Sequence, residues 1–422
     1  MQTSRGDRDE NLEPTPPTPP SGSRGPRPDY RSPDSWRPQL PALVFLAVLV
    51  FLGVFPRLLI APMLVEIARE LAVTTGQATR LFLFVSAGYT ALMLLSGFVS
   101  QRLGHRRTLV VSAAGTGAGA LAFAIAGSLP ALQAAAMLLG AGAGLYAPSG
   151  ISTVATLVSA EDRGKALAIH EMGPNLAVVS APLVAAALVP AVSWRLVFTV
   201  TGLICLSAAG AYARWGRGSD LPGEPPNLKN IATVLADPAF WVVTALLTVA
   251  VSAAVGVYAI LPSFLIEERE LDARLVNTLI GVSRASGIAM VFLTGIAVDR
   301  IGVRRMLAIV CTVVGVFTLL LGIARGPLLI AAVLLQPLLV PAFFPTALSA
   351  IAQVGPPHLR NLAVALVIPA ANFFGTGVFP SFAGLLAERG RFAWSFVILA
   401  AVLFASLALV PGFRPQGRQD RK

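Results

Sequence analysis

GFVSQRLGHRR (Gly97–Arg107) and GIAVDRIGVRR (Gly295–Arg305) are two copies of one basic turn. Each follows a long apolar run and precedes another, and the copies lie 198 residues apart in a chain of 422. One copy per half predicts an internal duplication, and what flanks the copies decides the fold.

The flanks are apolar to a degree that soluble domains do not reach. The chain is 55% hydrophobic and 13% charged, with a mean hydropathy of +0.74. A soluble domain carries about a quarter charged residues. A bilayer core of about 30 Å is crossed by roughly 20 apolar residues in a helix. Such runs occur at about 41–68, 78–100, 107–127, 130–158, 165–189 and 194–213. A polar stretch follows near 215–237, and six more runs come at about 239–264, 275–298, 306–323, 327–354, 361–385 and 392–412. The expectation is an all-α polytopic membrane protein. Its twelve transmembrane helices form two pseudo-symmetric six-helix bundles, 39–214 and 238–412, around a central cavity. A cytoplasmic linker at 215–237 joins them. Runs longer than 25 residues imply tilt.

Two ends are of different material. Residues 1–38 contain PTPPTPP and further Pro, Gly, Ser and Arg, which cannot bury enough apolar surface to fold alone. They read as a disordered cytoplasmic tail, and 413–422 as a second one. PTPPTPP also suits a proline-binding module, although composition alone explains it. The stretch does not have the form of a signal peptide.

The net charge of +11 would suggest nucleic acid in a soluble protein, but its distribution follows topology. Arg102, Arg106, Arg107, Arg163, Lys165, Arg214, Arg217, Arg300, Arg304, Arg305 and Arg360 fall in alternate loops, while the intervening loops hold fewer basic residues. The positive-inside rule then puts both termini in the cytoplasm of a cell (inner) membrane protein. Membrane lipids are the expected macromolecular contact, and a monomer the expected state. Two cysteines, both in apolar runs, make neither a disulfide framework nor a metal site. No cofactor is expected.

In each copy of the turn the first glycine, Gly97 or Gly295, allows close helix approach, and the middle one, Gly104 or Gly302, suits a tight turn. The duplication extends further. GLYAPSGISTVATLVSAEDRGKALAI (144–169) resembles PAFFPTALSAIAQVGPPHLRNLAVAL (341–366), with Pro148 on Pro345 and Arg163 on Arg360. Asn175 likewise falls on Asn372.

These features resemble the major facilitator superfamily of secondary transporters. Its loop signature, Gly-x-x-x-Asp-Arg-x-Gly-x-Arg-Arg, is met by Gly295, Asp299, Arg300, Gly302, Arg304 and Arg305. The first half matches at Gly97, Arg102, Gly104, Arg106 and Arg107, with Gln101 in place of the acid. The segment APMLVEIARELAVTTGQ (61–77) matches the family pattern at the end of the first helix. The resemblance covers residues 40 to 412. It implies alternating access, a conformational gate at these loops, and an acid that helps hold the outward-open state. The glycines of AAGTGAGALAFAIAG (113–127) and LGAGAGLYAPSG (139–150) read as helix packing. No nucleotide-binding loop is present to support an ATP-driven pump.

A charge at the centre of a membrane helix costs roughly 2.5–3.5 kcal/mol on insertion scales, so buried charges direct attention to function. Arg57 lies about 24 Å into the first run, framed by Pro56 and Pro62, which are expected to open the helix locally. Arg284 lies about 22 Å from Asp299 among small residues of the eighth helix. Carriers of small organic anions in the resembling family, such as those for monocarboxylates and oxalate, often use an arginine on that helix. Arg57 and Arg284 are the expected substrate ligands, although Arg57 also suits snorkelling to headgroups. Arg80 fits snorkelling better. Tyr146, Asn372 and Tyr89 are expected to join the two arginines, within a wider wall of Asn175, Tyr258, Asn277 and Gln336. Glu171 and His170, beside a Gly173-Pro174 break, are the proton-coupling candidates. Gly-Pro also occurs in the family's antiporter signature, whose flanking glycines are missing here. The alternative for Glu171 is a lock between helices.

The leading reading is a secondary active transporter, not an enzyme, for a small anionic organic solute, with the proton as the candidate coupling ion. The alternatives are a proton-driven efflux antiporter for amphiphilic drugs and a non-transporting scaffold or sensor. Sugar transport fits less well, because the cavity helices are poor in Gln, Asn and Trp.

Overall fold

The computed structural model describes residues 37–189, 191–218, 228–343 and 360–412. Within these, side chains are described except at 228–229, 286–296, 298–299, 303, 342, 360–361 and 410–412. Residues 1–36 and 413–422 of the predicted tails, with Pro345 and the middle of the linker, lie outside the described residues, as does the side chain of Asp299.

In the first half α1 spans Leu40–Glu70, α2 Thr75–Leu103 and α3 His105–Ile125. The fourth span is two helices, α4 Leu129–Gly144 and α5 Tyr146–Leu157, separated at Leu145. α6 spans Arg163–Leu188 and α7 Trp194–Trp215. A short helix, α8 Leu228–Ala236, occupies part of what reads in sequence as a polar connection. The seventh span contains α9 Pro238–Val251 and α10 Val257–Ser263, with π-helical segments at Ser252–Gly256 and Phe264–Glu268. The chain continues with α11 Ala273–Ile301, α12 Val303–Ile323 and α13 Gly326–Leu335. It ends with α14 Arg360–Asn372, a π segment at Phe373–Val378, α15 Phe379–Glu388 and α16 Ala393–Ala405.

Nine helices among the described residues are long and apolar enough to cross a membrane. With α11 and two shorter apolar helices they supply the twelve spans of a two-bundle transporter fold. Local chemistry starts several of them. Thr74 and Gln77 form a reciprocal cap on α2, and Asp237 accepts from the Ala239 N–H ahead of Pro238. The duplicated turns have matching backbones. Gly104 has φ 77° and Gly302 φ 86°, a region a β-carbon disfavours, and each glycine immediately precedes a helix.

Small residues set the packing of the first half. A β-carbon at Gly140 would strike the Val85 carbonyl, one at Gly144 the Tyr89 carbonyl, and one at Gly88 the Met137 carbonyl. α2 and α4 therefore meet backbone to backbone, as close-packed membrane helices do. Gly117 of α3 faces Gly202 of α7 in the same manner. In the second half Gly315 and Gly322 of α12 pack against Phe404 and Ala393 of the last span, echoing the α3–α7 pair.

The face bearing the two basic turns is called the basic face, and the opposite one the far face. Contacts between the halves gather toward the far face. Thr74 Oγ1 donates to Glu388 Oε1 at 2.6 Å and Thr75 Oγ1 to Glu267 Oε2 at 2.5 Å. Gly384 packs against Thr79 and Gly76. Ser86 and Thr376 share a 2.6 Å hydrogen bond, and Thr90 Oγ1 donates to the Pro369 carbonyl. Gly281 of α11 meets Leu183 near the far end of α6. Toward the basic face, Leu94, Leu95 and Phe98 of α2 and Met172 and Leu176 of α6 are exposed.

Candidate functional site

α1 runs as continuous helix through both Pro56 and Pro62, contrary to the expectation that they open it. Their effect lies in the hydrogen bonds they omit. Proline has no N–H for the carbonyl four residues earlier. Pro56 thereby frees the Leu52 carbonyl, which faces the Cys205 thiol at 3.7 Å. Pro62 frees the Leu58 carbonyl, which accepts the Tyr258 hydroxyl from the other half at 3.3 Å. The Pro62 carbonyl accepts from Asn277 Nδ2 at 3.4 Å. Pro62 thus exposes a backbone acceptor on α1 that the second half reaches, and Pro56 one that faces α7 of the same half.

Arg57 sits beside Leu58. Its Nε donates to the Gly53 carbonyl at 3.2 Å, and its guanidinium carbon lies 4.3 Å from the centre of the Tyr89 ring. Gly144 lets α4 close on the Tyr89 backbone, which holds that ring in place. Arg284 repeats the arrangement in the second half. Its guanidinium lies 5.3 Å from the centre of the Tyr258 ring, and Nη2 donates 3.1 Å to the Ala254 carbonyl. Ala254 belongs to the first π segment of the seventh span, a distortion common at functional sites. Gly256 in that segment packs against the Gly375 carbonyl in the π segment of the eleventh span. The Nε of Arg284 is buried without a hydrogen-bond partner. Among the described residues no carboxylate forms an ion pair with Arg57 or Arg284.

The contacts therefore run from Arg284 to Tyr258, to the Leu58 carbonyl, and through the α1 backbone to Arg57 and Tyr89. Two guanidiniums, each held by an aromatic face and a backbone carbonyl, bracket the junction of the halves. Cation–π contact of this kind stabilises a guanidinium without neutralising it.

The other predicted residues divide into different places. Asn372 is half-buried, and its Nδ2 donates to the Ile368 carbonyl of its own helix. Tyr146 does not join the arginines. It is 4% exposed, and its hydroxyl lies 2.8 Å from the Leu46 carbonyl and 3.1 Å from His170 Nε2. The break at Leu145 and the packing of α5 on α6 turn its ring onto the His170 ring, 5.7 Å between centres. His170 is 3% exposed, and its Nδ1 lies 3.1 Å from Glu171 Oε1. The Glu171 side chain is 57% exposed. Tyr146, His170 and Glu171 form one row, with an exposed carboxylate at one end and α1 at the other.

The residues expected to form a gate are described in part. Arg106 Nη2 donates to the Ala213 carbonyl in the last turn of α7 at 2.8 Å, so it ties α3 to α7 within its own half. Arg102, Arg300 and Arg304 are exposed. The Gly97 carbonyl accepts from Ser100 Oγ, and Gly295 lies within α11.

Sequence reasoning passed over three carboxylates. Glu66 keeps a buried oxygen without a partner on α1. Glu267 and Glu388 fasten the far face, where they line a cleft of about 660 Å³ with Thr74, Thr75 and Glu268. A second cleft of about 440 Å³, lined by Glu268, Arg269 and Arg325, opens on the same face. Both lie away from Arg57 and Arg284.

The model of the Major Facilitator Superfamily matches residues 45–327 and 283–422. The chain is 26% identical over 168 residues to the probable sulfoacetate transporter SauU of Cupriavidus necator, covering 40% of this chain and 39% of that protein. It is 27% identical over 192 residues to the multidrug transporter mfsC of Aspergillus fumigatus, covering 44% of this chain and 36% of that one. The matched stretches thus span well under half of either relative. Among solved structures, a bacterial homologue of the human lysosomal transporter Spinster, inward-facing and unoccupied, aligns with a TM-score of 0.73. The identity is 14%, covering 89% of this chain and 97% of that one.

Proposed function

Because the chain belongs to the Major Facilitator Superfamily, we propose that it moves a small organic anion across the membrane by alternating access, with Arg57 and Arg284 as its ligands. The observation that carries this reading is the pair of guanidiniums, one per half, each lying on a tyrosine and neither ion-paired among the described residues. A carboxylate or sulfonate accepts bidentate hydrogen bonds from the planar fork of arginine. A solute with two acid groups offers one to each half. Sulfoacetate, named for the first relative, has that form, with a carboxylate and a sulfonate on one carbon.

An anion that touches both halves favours their closure around it, because closing replaces the water lost by both guanidiniums with charge-assisted contacts. The positive-inside rule assigns the basic face to the cytoplasm. On that assignment the state described, fastened at the far face, is inward-open. A proton carried at Glu171 and His170 is the proposed coupling ion.

The second relative is a multidrug transporter, but a cationic drug would meet two guanidiniums, and like charges repel. Calorimetry on the purified protein tests the choice. Binding of sulfoacetate, with none of a cationic dye, is the expected result. Binding of the dye with no anion bound overturns the reading and leaves the fold unaffected.

A further inference from the structure

The row from α1 to Glu171 contains three short contacts: Leu46 carbonyl to Tyr146 hydroxyl, Tyr146 hydroxyl to His170 Nε2, and His170 Nδ1 to Glu171 Oε1. Each becomes a hydrogen bond only if a proton lies between its two atoms. The terminal carbonyl and an ionised carboxylate supply none. Tyr146 supplies one proton and a neutral imidazole one. Two protons face three contacts, so the row is one proton short.

A proton added to the imidazole completes it. Nδ1–H then donates to Glu171, Nε2–H donates to the Tyr146 oxygen, and the Tyr146 O–H donates to the Leu46 carbonyl. Without that proton, Nδ1–H still serves Glu171, and the Tyr146 hydroxyl has a choice. It bonds either to Nε2 or to Leu46, and the other contact is lost. A buried nitrogen without a partner costs more than a carbonyl that α1 already satisfies along its own helix. The hydroxyl therefore turns to Nε2 and releases α1.

We propose that Tyr146, His170 and Glu171 form a one-proton site that opens to the basic face through Glu171, with the proton held on His170 and Tyr146 reporting its presence to α1. The step is a simple transfer. A hydronium ion at the exposed Glu171 end gives up its proton, the proton comes to rest on the imidazole, and water remains. Leu46 and Arg57 are eleven residues apart on α1, about 16 Å along the axis, so the tie at Leu46 bears on the helix that carries one anion ligand. Coupling to transport rests on the anion reading above; the proton count does not.

Other titratable groups leave the row intact. Tyr212 of α7 donates its hydroxyl to the Arg217 carbonyl. α1 presents Leu46, Leu49 and Val50 at this level. Gly281 of α11 meets α6 near its far end, at Leu183. On α6 itself Lys165 pairs with Asp162.

The test uses the full chain in nanodiscs with 15N-labelled histidine. It has three histidines, and His170→Gln assigns the signal. At low pH both His170 ring nitrogens should carry protons, and at high pH only Nδ1. Tyr146→Phe removes the partner of Nε2 and Glu171→Gln the charge beside Nδ1, so each should alter the pH dependence of these signals. An Nε2–H form at high pH, or a titration unmoved in both variants, overturns the proposal. In liposomes, His170→Gln should lose proton-driven sulfoacetate accumulation and keep sulfoacetate exchange; retained accumulation also overturns it. Should the wild type neither bind nor move sulfoacetate, the anion reading fails, and the histidine titration still decides the proton site.

Discussion

The Tyr258 hydroxyl donates to the Leu58 carbonyl across the junction of the halves, and that carbonyl is free because Pro62 has no N–H to offer it. A defect in one helix thus becomes a contact between two domains. The same tyrosine carries Arg284 on its ring, which places a cation beside the hinge that this contact forms.

Removing the hydroxyl tests that relationship. Tyr258→Phe keeps the ring under Arg284 and deletes the bond, which should weaken far-face closure by about 1 kcal/mol. Spin labels at exposed Arg80 and Arg389 should show an open population raised about fivefold. Cys205 and Cys311 are buried, so background labelling should be low. An unchanged distance distribution would mean that Leu58 and Tyr258 merely touch.

The two arginines should differ from lysine in kind. Arg284→Lys keeps the charge and loses the fork, so sulfoacetate affinity should fall about tenfold. Arg284→Ala should cost tenfold to a thousandfold, the range for a buried charged contact of a few kcal/mol. Arg57→Ala should behave similarly. Calorimetry on the purified variants measures each loss, and full affinity in Arg284→Ala would remove that residue from the site.

The far face should be wedged open by bulk at Gly384. A side chain there would meet Thr79 and Gly76, the place where α15 lies against α2. Gly384→Leu should therefore increase far-side labelling of a cysteine at Thr75 several-fold and abolish exchange, with the protein still monodisperse. Labelling at the wild-type rate would show that the halves close elsewhere.

Topology is open to a direct check. Cysteines placed at Ser35 and Gln419 should react with an impermeant reagent only from the cytoplasmic side. Reaction from outside at either position would invert the assignment of the basic face.

Much of this architecture was legible in one dimension. Hydropathy adds up along the chain, so the spans could be located by length, and their observed limits differ from the expected ones by a few residues in most cases. Gly104 and Gly302 could be matched because their backbone, φ 77° with ψ 160° and φ 86° with ψ 148°, is a region open essentially to glycine alone. The fourth, seventh and eleventh spans read as simple helices and are not. The break at Leu145 and the π segments that contain Ala254 and Gly375 leave the run of apolar residues unbroken, so hydropathy does not mark them.

The candidate site was legible as a list of residues and not as an arrangement. Arg57 and Arg284 stood out because charge is costly in a membrane. Tyr146 was grouped with them by its place near proline and glycine, but packing gives it to His170. Tyr258 was one name in a wall of aromatic and amide groups, and only the freed Leu58 carbonyl marks it out. Nothing in the sequence around Glu388 marks the bond it accepts from Thr74.

By itself, the sequence determined that this chain crosses a membrane, that its halves are related and which face is basic, because each follows from local composition or a local backbone demand. The tertiary structure decided which tyrosine lies under which arginine, which carbonyls Pro56 and Pro62 make available, and where the far face is fastened. The side-chain bonds that fasten the far face join residues 192 and 314 positions apart, Thr75–Glu267 and Thr74–Glu388. They depend on how helices cross, and close packing across an interface leaves no periodic mark in either partner's sequence.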